Sequence, residues 1–396
     1  MLYGTGVRQK QYSVLLAVLA LVFPFHSTLG VRPITINASL GDIVIFFSLL
    51  LAVLGVISLR FLPRYGILVS LLIGSISLSI IINILIISPG YYSIPISIFE
   101  YIKLFGAIAW FFIIYVSFVK NPRISFYIFA IFSVSTATVF SIQSLYEIVV
   151  LNVSRSVGPF DNPNIYSNYL YFNIFLTFAL AKIRRDRLLI WSIIVVILVA
   201  GVLATASRGG LVGMTAGIGV LLLYYLSNRD RHKLIKYSPS TVILIPIIIL
   251  WKQTRSYEII ITTLIDPVGE ASNRIERWEY AIDSFLQNPI FGLGYGQFAQ
   301  ATPSSTGVHS TFLSIGAEVG IFGLMFLTLL VTAVIVDSLR MVQHTTNTYI
   351  IYFVGFFIAS LVQGLVTDIY TFRTFWIIIG ILAAHYHHEY GVTYAK

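Results

Sequence analysis

The stretch Leu188–Ala204 reads LLIWSIIVVILVAGVLA and contains no charged residue. An α-helix rises 1.5 Å per residue, so about 20 such residues cross the hydrocarbon core of a bilayer. After the short turn Thr205-Ala206-Ser207-Arg208-Gly209, a second apolar stretch runs over Gly210–Leu226. Two apolar segments joined by so tight a turn predict a pair of antiparallel membrane helices.

Similar apolar segments recur on both sides of this pair along nearly the whole chain, and their number predicts about 12 transmembrane helices. Besides the pair above, they are Tyr12–Phe25, Ile43–Leu59, Ile67–Ile87, Leu104–Val119, Ile124–Ile142, Ile165–Ala181, Thr241–Trp251, Thr311–Val336, Tyr349–Val366 and Phe375–His385. The predicted fold class is therefore an all-α polytopic membrane protein.

The composition of the 396-residue chain excludes a soluble enzyme and a disordered chain. Hydrophobic residues make up 57% and charged residues 10%, and the mean hydropathy is +0.88. A soluble domain carries about 25% charged residues. The chain has no cysteine, so a disulfide framework, a thiolate nucleophile and a Cys-ligated metal centre are also excluded.

The distribution of the 25 lysines and arginines predicts the topology. If the N-terminus is cytoplasmic, most of them fall in short inner loops, as the positive-inside rule expects. Both termini are then predicted to lie on the cytoplasmic side of the cytoplasmic membrane. Residues 1–251 form transmembrane helices 1–9, residues 252–308 an extracytoplasmic loop, and residues 309–396 helices 10–12. The first segment can also be interpreted as a cleavable signal peptide, which leaves the remaining topology unchanged.

The long outer loop is predicted to contain an amphipathic helix. Apolar residues follow helical spacing from Asn273, which resembles a cap, to Asn288-Pro289, which ends the helix. Arg274 and Arg277 are three residues apart and share one edge near its N-terminus, so both can converge on one anion. The alternative is an interfacial helix with solvated arginines.

A second candidate anion site is the outer turn Ser207-Arg208-Gly209-Gly210. Ser207 can cap the second helix of the pair, and the glycines permit close approach of the backbone. The Arg208 guanidinium and the helix N-terminus would then bind a diphosphate. The alternative is an arginine that snorkels to the interface, but the positive-inside rule makes an outer arginine in so short a loop unexpected.

Three further features are candidates for the site. His309 precedes the tenth helix and has an unperturbed pKa of about 6.5, which suits a general base. The segment with Arg155 and Asn164 is rich in turn residues, and Asn164 is predicted to cap the next helix. Glu318 lies nine residues after His309, so the two would face opposite sides of a straight helix and are not paired.

We interpret one glycine-rich segment and one histidine cluster as structural features rather than binding sites. Gly292-Leu293-Gly294-Tyr295-Gly296 resembles a phosphate loop, but no strand precedes it, so we interpret it as a turn that passes close to the bundle. His385, His387 and His388 cluster near the inner C-terminus, where we expect a solvated helix end rather than a metal site.

In order and spacing, the outer motifs resemble those of the O-antigen ligase and O-antigen polymerase superfamily of membrane glycosyltransferases, which belong to the GT-C class. The motifs are Ser207-Arg208-Gly209, then Arg274 and Arg277 with Trp278, then Asn288-Pro289 and Gly292-Leu293-Gly294, then His309 with Leu313, Glu318 and Gly320. The resemblance implies about twelve helices and a loop before the tenth that covers the site.

The resemblance also implies an inverting transfer of a glycan from a polyprenyl diphosphate carrier to an acceptor hydroxyl. The acceptor would be a lipid A core sugar in a ligase, the next glycan repeat in a polymerase, or a protein side chain in related transferases. It places diphosphate binding on Arg208 and on Arg274 or Arg277, and acceptor activation on His309. Arg155, Asn164 and Glu318 remain additional candidates.

This sequence departs from the family pattern at two points. It has two arginines where the loop motif needs one, so the choice between Arg274 and Arg277 is open. It also has Ser310 where an asparagine is common after the histidine.

Arginines can neutralise a diphosphate leaving group without a metal. Asp161, Asp266 and Asp283 stand singly on the outer side, so we predict a metal-independent reaction with no cofactor. The expected partners are the lipid-linked donor, the acceptor and membrane lipids, and no nucleic acid. The alternative functions are a transporter or flippase for lipid-linked glycans or small anions and a structural scaffold, which would leave the arginines and the histidine unexplained.

Overall fold

The computed structural model describes residues 64–87, 93–227, 251–265, 268–303, 306–344 and 349–390, and their side chains except those of residues 263–273. The predicted segments Tyr12–Phe25, Ile43–Leu59 and Thr241–Trp251 lie outside these residues, except for Trp251 itself. The alternative signal peptide lies outside them as well.

Every regular element in the described ranges is helical, which confirms the all-α fold class. The α-helices are α1 (Gly66–Ile82), α2 (Ile94–Lys120), α3 (Pro122–Val149), α4 (Pro163–Ile183), α5 (Leu188–Ala204), α6 (Arg208–Ser227), α7 (Arg255–Ile265), α8 (Val268–Gln287), α9 (Phe298–Ala301), α10 (Thr311–Val319), α11 (Ile321–His344), α12 (Ile350–Gly364) and α13 (Arg373–Tyr390). A π-helix follows α1 at Asn83–Ile87, and 3-10 turns lie at Arg185–Arg187 and Ile369–Thr371.

Six of these elements are long and apolar enough to cross a membrane: Gly66–Leu85, Ile94–Lys120, Pro122–Val149, Arg185–Ala204, Arg208–Ser227 and Ile321–His344. The apolar helix α12 is shorter. The protein is therefore a polytopic membrane protein, as its hydropathy predicts.

Two helices form the centre of the bundle. Every residue of α4 over 166–177 is buried, and so is every residue of α13 over 373–385. The asparagines of α4 can be buried because they form hydrogen bonds inside the bundle. Asn168 donates to Oε1 of Gln363 at 2.8 Å, and Asn173 donates to a backbone carbonyl of its own helix. Several other helices pack on these two, with α2 against α13 and with α3 and α5 against α4, whereas α1 packs on α11.

Glycines bring α6 and α12 into close contact. A Cβ atom at Gly213 would lie 2.6 Å from the carbonyl oxygen of Ala359, and one at Gly217 would lie 2.6 Å from that of Gly355. Small residues at helix interfaces let two backbones approach closely in a membrane. This contact fixes the position of the N-terminal end of α6, where Arg208 lies.

The prediction of one continuous helix over Thr311–Val336 is wrong, because the helix breaks at Gly320 between α10 and α11. Gly320 has φ +79°, and a Cβ atom there would lie 2.3 Å from the carbonyl oxygen of Ile290. The backbone N–H of Ile321 donates to the carbonyl of Pro289 at 2.8 Å. The returning outer loop therefore packs against the break, where only glycine fits.

Candidate functional site

The turn before α6 is built as the sequence predicts. Ser207 caps the helix, since its Oγ accepts a hydrogen bond from the backbone N–H of Gly210 at 3.1 Å. The same hydroxyl donates to Oδ1 of Asn164 at 2.7 Å. Ala206 has φ +48°, a conformation that costs energy for an alanine. Arg208 is thereby held at the first residue of α6, beside the start of α4.

The start of α4 differs from the prediction in one detail. The N-cap is Asn162, whose side chain accepts from the backbone N–H of Asn164 at 2.8 Å, so Asn164 lies in the first turn instead. Pro163 at the first helical position explains the shift, because proline is favoured there. In the preceding loop, Nε of Arg155 donates to the carbonyl of Thr205 at 3.3 Å. Arg155 and Asn164 therefore both face the Ser207 turn.

The amphipathic helix predicted within residues 252–308 exists as α8 and ends at Gln287, as predicted, but it begins at Val268 rather than at Asn273. Glu270 and Ala271 are good helix formers and extend the helix beyond the expected cap. On the edge that faces the bundle, Arg277 donates to Oγ1 of Thr306 at 2.9 Å. The helix is therefore docked on the segment that leads to His309.

His309 lies two residues before α10 and has φ +57°. Its Nδ1 is 4.0 Å from Oδ2 of Asp368, which lies in the connection between α12 and α13. The Asp368 carboxylate accepts hydrogen bonds from the Ser314 hydroxyl and from the backbone N–H groups of His309 and Ser310. The aspartate therefore fixes the strained backbone around His309 and lies beside its ring.

These elements enclose a cavity of about 230 Å³. Its lining includes six of the candidates chosen from sequence, namely Arg155, Asn164, Arg208, Arg274, Arg277 and His309, together with Ala206, Gly209, Ile259, Val366 and Thr367. Four guanidinium groups and one imidazole thus face one small space, and no carboxylate is among the described residues that line it.

The arginines repel one another across this cavity. Burial, followed by the charge of Arg274, lowers the pKa of Arg155. The same two causes lower the pKa of Arg277, and Asp368 and Glu276 oppose this shift. Arg208 also interacts unfavourably with Arg274 and Arg155. Guanidinium groups stay protonated near neutral pH, so the cavity carries excess positive charge that a bound anion would neutralise.

The electrostatic surroundings favour a neutral His309. Burial lowers its pKa from the ordinary 6.5, Asp368 opposes this shift, and Arg277 and Arg274 reinforce it. Burial likewise raises the pKa of Asp368, against the hydrogen bond from Ser314 and the charge of His309. A neutral imidazole in a polar cavity can accept a proton near neutral pH.

Glu318 does not line the cavity. Its carboxylate accepts from the backbone N–H of Phe298 at 3.1 Å, and its carbonyl accepts from Gly294 at 3.0 Å. A Cβ atom at Gly292 would lie 2.3 Å from the Glu318 carbonyl carbon. Glu318 therefore attaches the glycine turn 292–296 to α10. This agrees with the interpretation of that segment as a close-packed turn.

Two residues of the site were not among the candidates chosen from sequence. Asp368 stands in a short turn between two apolar segments, which is the signal that could have found it. Gln363 of α12 donates to the carbonyl of Asn164 at 3.0 Å and accepts from Asn168 at 2.8 Å and from Tyr171 at 2.6 Å. This buried network joins α12 to α4 directly beneath the cavity.

Residues 193–328, roughly a third of the chain, match the family model described as O-Antigen ligase. This range contains Arg208, Arg274, Arg277 and His309, whereas Arg155 and Asp368 lie outside it. No curated protein matches the chain. At the family level the match supports a membrane glycosyltransferase of the ligase or polymerase type.

Proposed function

Since this match supports the O-antigen ligase and polymerase superfamily, we propose that the protein transfers a glycan from a polyprenyl diphosphate carrier to an acceptor hydroxyl. The observation that carries the proposal is one cavity lined by four arginines and by His309, whose ring lies beside the carboxylate of Asp368. The arginines suit the donor, and the histidine suits the acceptor.

The arginines bind the diphosphate and stabilise it as it leaves. A guanidinium group offers paired N–H donors that match phosphate oxygens. The charge of the leaving diphosphate grows in the transition state, so cations already fixed around it lower the barrier. Arg208 at the N-terminus of α6 and Arg274 on α8 approach the cavity from different elements, so the diphosphate would be held between the bundle and the outer loop.

His309 takes the proton of the acceptor hydroxyl. As that oxygen attacks the anomeric carbon, a new glycosidic bond forms and the bond to the diphosphate oxygen breaks. The diphosphate keeps the electron pair, and the proton goes to the imidazole. The carboxylate of Asp368 stabilises the imidazolium that results.

We propose a metal-independent, inverting reaction. The guanidinium groups supply the positive charge that a metal would otherwise supply. A retaining reaction by double displacement needs a nucleophile near the anomeric carbon, and the described lining offers the imidazole and no carboxylate. A single displacement with His309 as base is the simplest use of these groups.

The site is proposed to lie on the outer side of the cytoplasmic membrane. Arg155, Arg208, Arg274 and Arg277, which the charge pattern places outside, meet in one cavity. Arg123 and Arg184 belong to the short basic loops that the positive-inside rule places inside, and they meet in another cavity. The described helices therefore segregate the basic residues in the way that the proposed topology requires, with residues 252–308 outside and both termini inside.

The test uses purified protein in detergent with a synthetic polyprenyl diphosphate glycan and three separate acceptors: a lipid A core sugar, a glycan repeat and a serine peptide. A new glycosidic product, detected by mass spectrometry, supports the proposal, and the acceptor that reacts identifies the type of transferase. A polyprenyl monophosphate glycan is the matched control donor and should react poorly, because it fills only part of the arginine cavity. Movement of the donor across proteoliposomes without any product would favour the transporter instead.

A further inference from the structure

A second cavity lies at the opposite end of the bundle. Helix α4 runs from Asn164 in the arginine cavity to Ile183 in the second one, and α12 returns from Tyr349 in the second cavity towards Thr367 in the first. With 21 residues, α4 is about 30 Å long, which equals the thickness of the hydrocarbon core. The two cavities therefore belong to opposite membrane interfaces.

The second cavity has a volume of about 730 Å³ and an apolar wall. Ile124, Phe126 and Ile128 of α3 form one side, and Ile183 forms the other. Ile124 and Ile183 are each 45% exposed on the surface of the described bundle. In a membrane these side chains face lipid, so the wall continues into the acyl region of the bilayer.

The polar end of the cavity is cationic. Arg123 and Arg184 line it, and the guanidinium of Arg184 lies 5.5 Å from the centre of the Tyr127 ring. Neither arginine forms an ion pair with a carboxylate among the described residues, although Glu389 also lines the cavity. Two guanidinium groups against one carboxylate leave a net positive charge.

His385 supplies an independent sign of a ligand. It was expected at a solvated helix end, but it is only 6% exposed and lies at the wall of the cavity. Its ring packs against Tyr349 and Phe353, at centroid distances of 5.4 and 5.7 Å. Its Nε2 is buried and has no hydrogen-bond partner within the described ranges. Buried polar atoms are rarely left unpaired, and a group bound in the cavity that His385 lines would supply a partner for this atom.

We infer that this cavity binds the phosphate headgroup of an anionic phospholipid, with the acyl chains along the Ile124 and Ile183 wall. Basic pockets between membrane helices on the cytoplasmic side characteristically hold anionic headgroups. A free phosphate would fit the cationic end, but it would leave the apolar wall unused. The lipid would join the ends of α3, α4, α12 and α13, of which α4 and α12 carry the floor of the arginine cavity.

The test is native mass spectrometry of the delipidated full chain, titrated with phosphatidylglycerol and with phosphatidylcholine of the same acyl chains. The wild type is expected to bind phosphatidylglycerol at least about tenfold more tightly than phosphatidylcholine. The double variant Arg123→Gln/Arg184→Gln should lose this preference. Arg185→Gln is the matched control, because Arg185 is exposed on the same loop but does not line the cavity. His385→Phe keeps the ring packing and should weaken phosphatidylglycerol binding several-fold.

The proposal is overturned if the double variant keeps the full preference for phosphatidylglycerol. If the double variant cannot be purified, the same result in His385→Phe overturns it. Glycerol phosphate provides the free-phosphate arm of the test. If it displaces phosphatidylglycerol at equal concentration, the cavity is a free-anion site and the lipid assignment is wrong. Glycosyl transfer is not the readout, so failure of the proposed function would leave this result unaffected.

Discussion

Nδ1 of His309 lies 4.0 Å from Oδ2 of Asp368, across the space between the start of α10 and the connection from α12 to α13. The distance suits an ion pair and is too long for a direct hydrogen bond. Catalytic hydrogen bonds are often long before substrate binds and shorten in the complex. The pair is thus arranged to stabilise the proton that His309 would gain during transfer.

Replacement of His309 by alanine is expected to slow glycosyl transfer about 10²- to 10⁴-fold, the usual contribution of a general base. His309→Asn is the matched second variant, because asparagine tolerates the left-handed backbone at φ +57° but cannot accept the proton. Both variants should still bind the lipid-linked donor, as measured by isothermal titration. Transfer within a few-fold of the wild type in either one would rule out the base assignment.

The acidic limb of the pH–rate profile is expected to lie below pH 6.5, because burial lowers the pKa of His309 and only the neutral ring is active. Asp368→Asn removes the charge that raises this pKa, so the limb should move to lower pH. Arg277→Gln removes a charge that lowers it, so the limb should move to higher pH. The measurement is kcat/KM against pH, which reports the pKa values of the free protein, and shifts in the same direction for both variants would contradict the electrostatic model.

Arg274→Ala is expected to lose more activity than Arg277→Ala. Arg274 interacts electrostatically with Arg155, Arg208 and Arg277, which places it at the centre of the cation cluster. Arg277 instead donates to Thr306. The difference should appear in donor affinity and in kcat/KM, and equal, mild losses would favour a solvated interfacial helix.

Arg208→Lys is expected to lose most activity although it keeps the positive charge, because an ammonium cannot bind two phosphate oxygens as a planar guanidinium does. Arg255→Lys is the control, since Arg255 is exposed at the start of α7 and does not line the cavity. Turnover is compared at saturating donor. A fully active Arg208→Lys protein would identify Arg208 as an interfacial anchor.

The topology can be tested by labelling of introduced cysteines, because the native chain has none. Ala301 and Asp186 are both exposed. The predicted topology places the first in the outer loop and the second in the inner loop before α5. A membrane-impermeant maleimide should label Ala301→Cys in intact cells and should label Asp186→Cys only after lysis. The reverse pattern would invert the proposed orientation.

Several local signals in the sequence predict the described fold correctly, although the N-cap of α4 and the start of α8 differ from the prediction. Leu188–Ala204 is a helix with the predicted ends, and Ser207 caps α6 as expected. The sequence predicts a helix boundary less accurately where contact with a distant segment decides where the helix ends. The break at Gly320 depends on the packing of Ile290 against it, and that contact has no trace in the hydropathy of residues 311–336.

The sequence by itself determined the membrane class, and it predicted the separation of basic residues between the two sides and the arginines and histidine of the candidate site. These properties follow from the cost of transferring each side chain into hydrocarbon, which depends on residue type and near neighbours. Only the tertiary structure decided that Arg155, Arg208, Arg274 and His309 share one cavity and that Asp368 accompanies the histidine. Those relationships arise from contacts between helices far apart in the chain, because burial of the central helices α4 and α13 determines which loops meet.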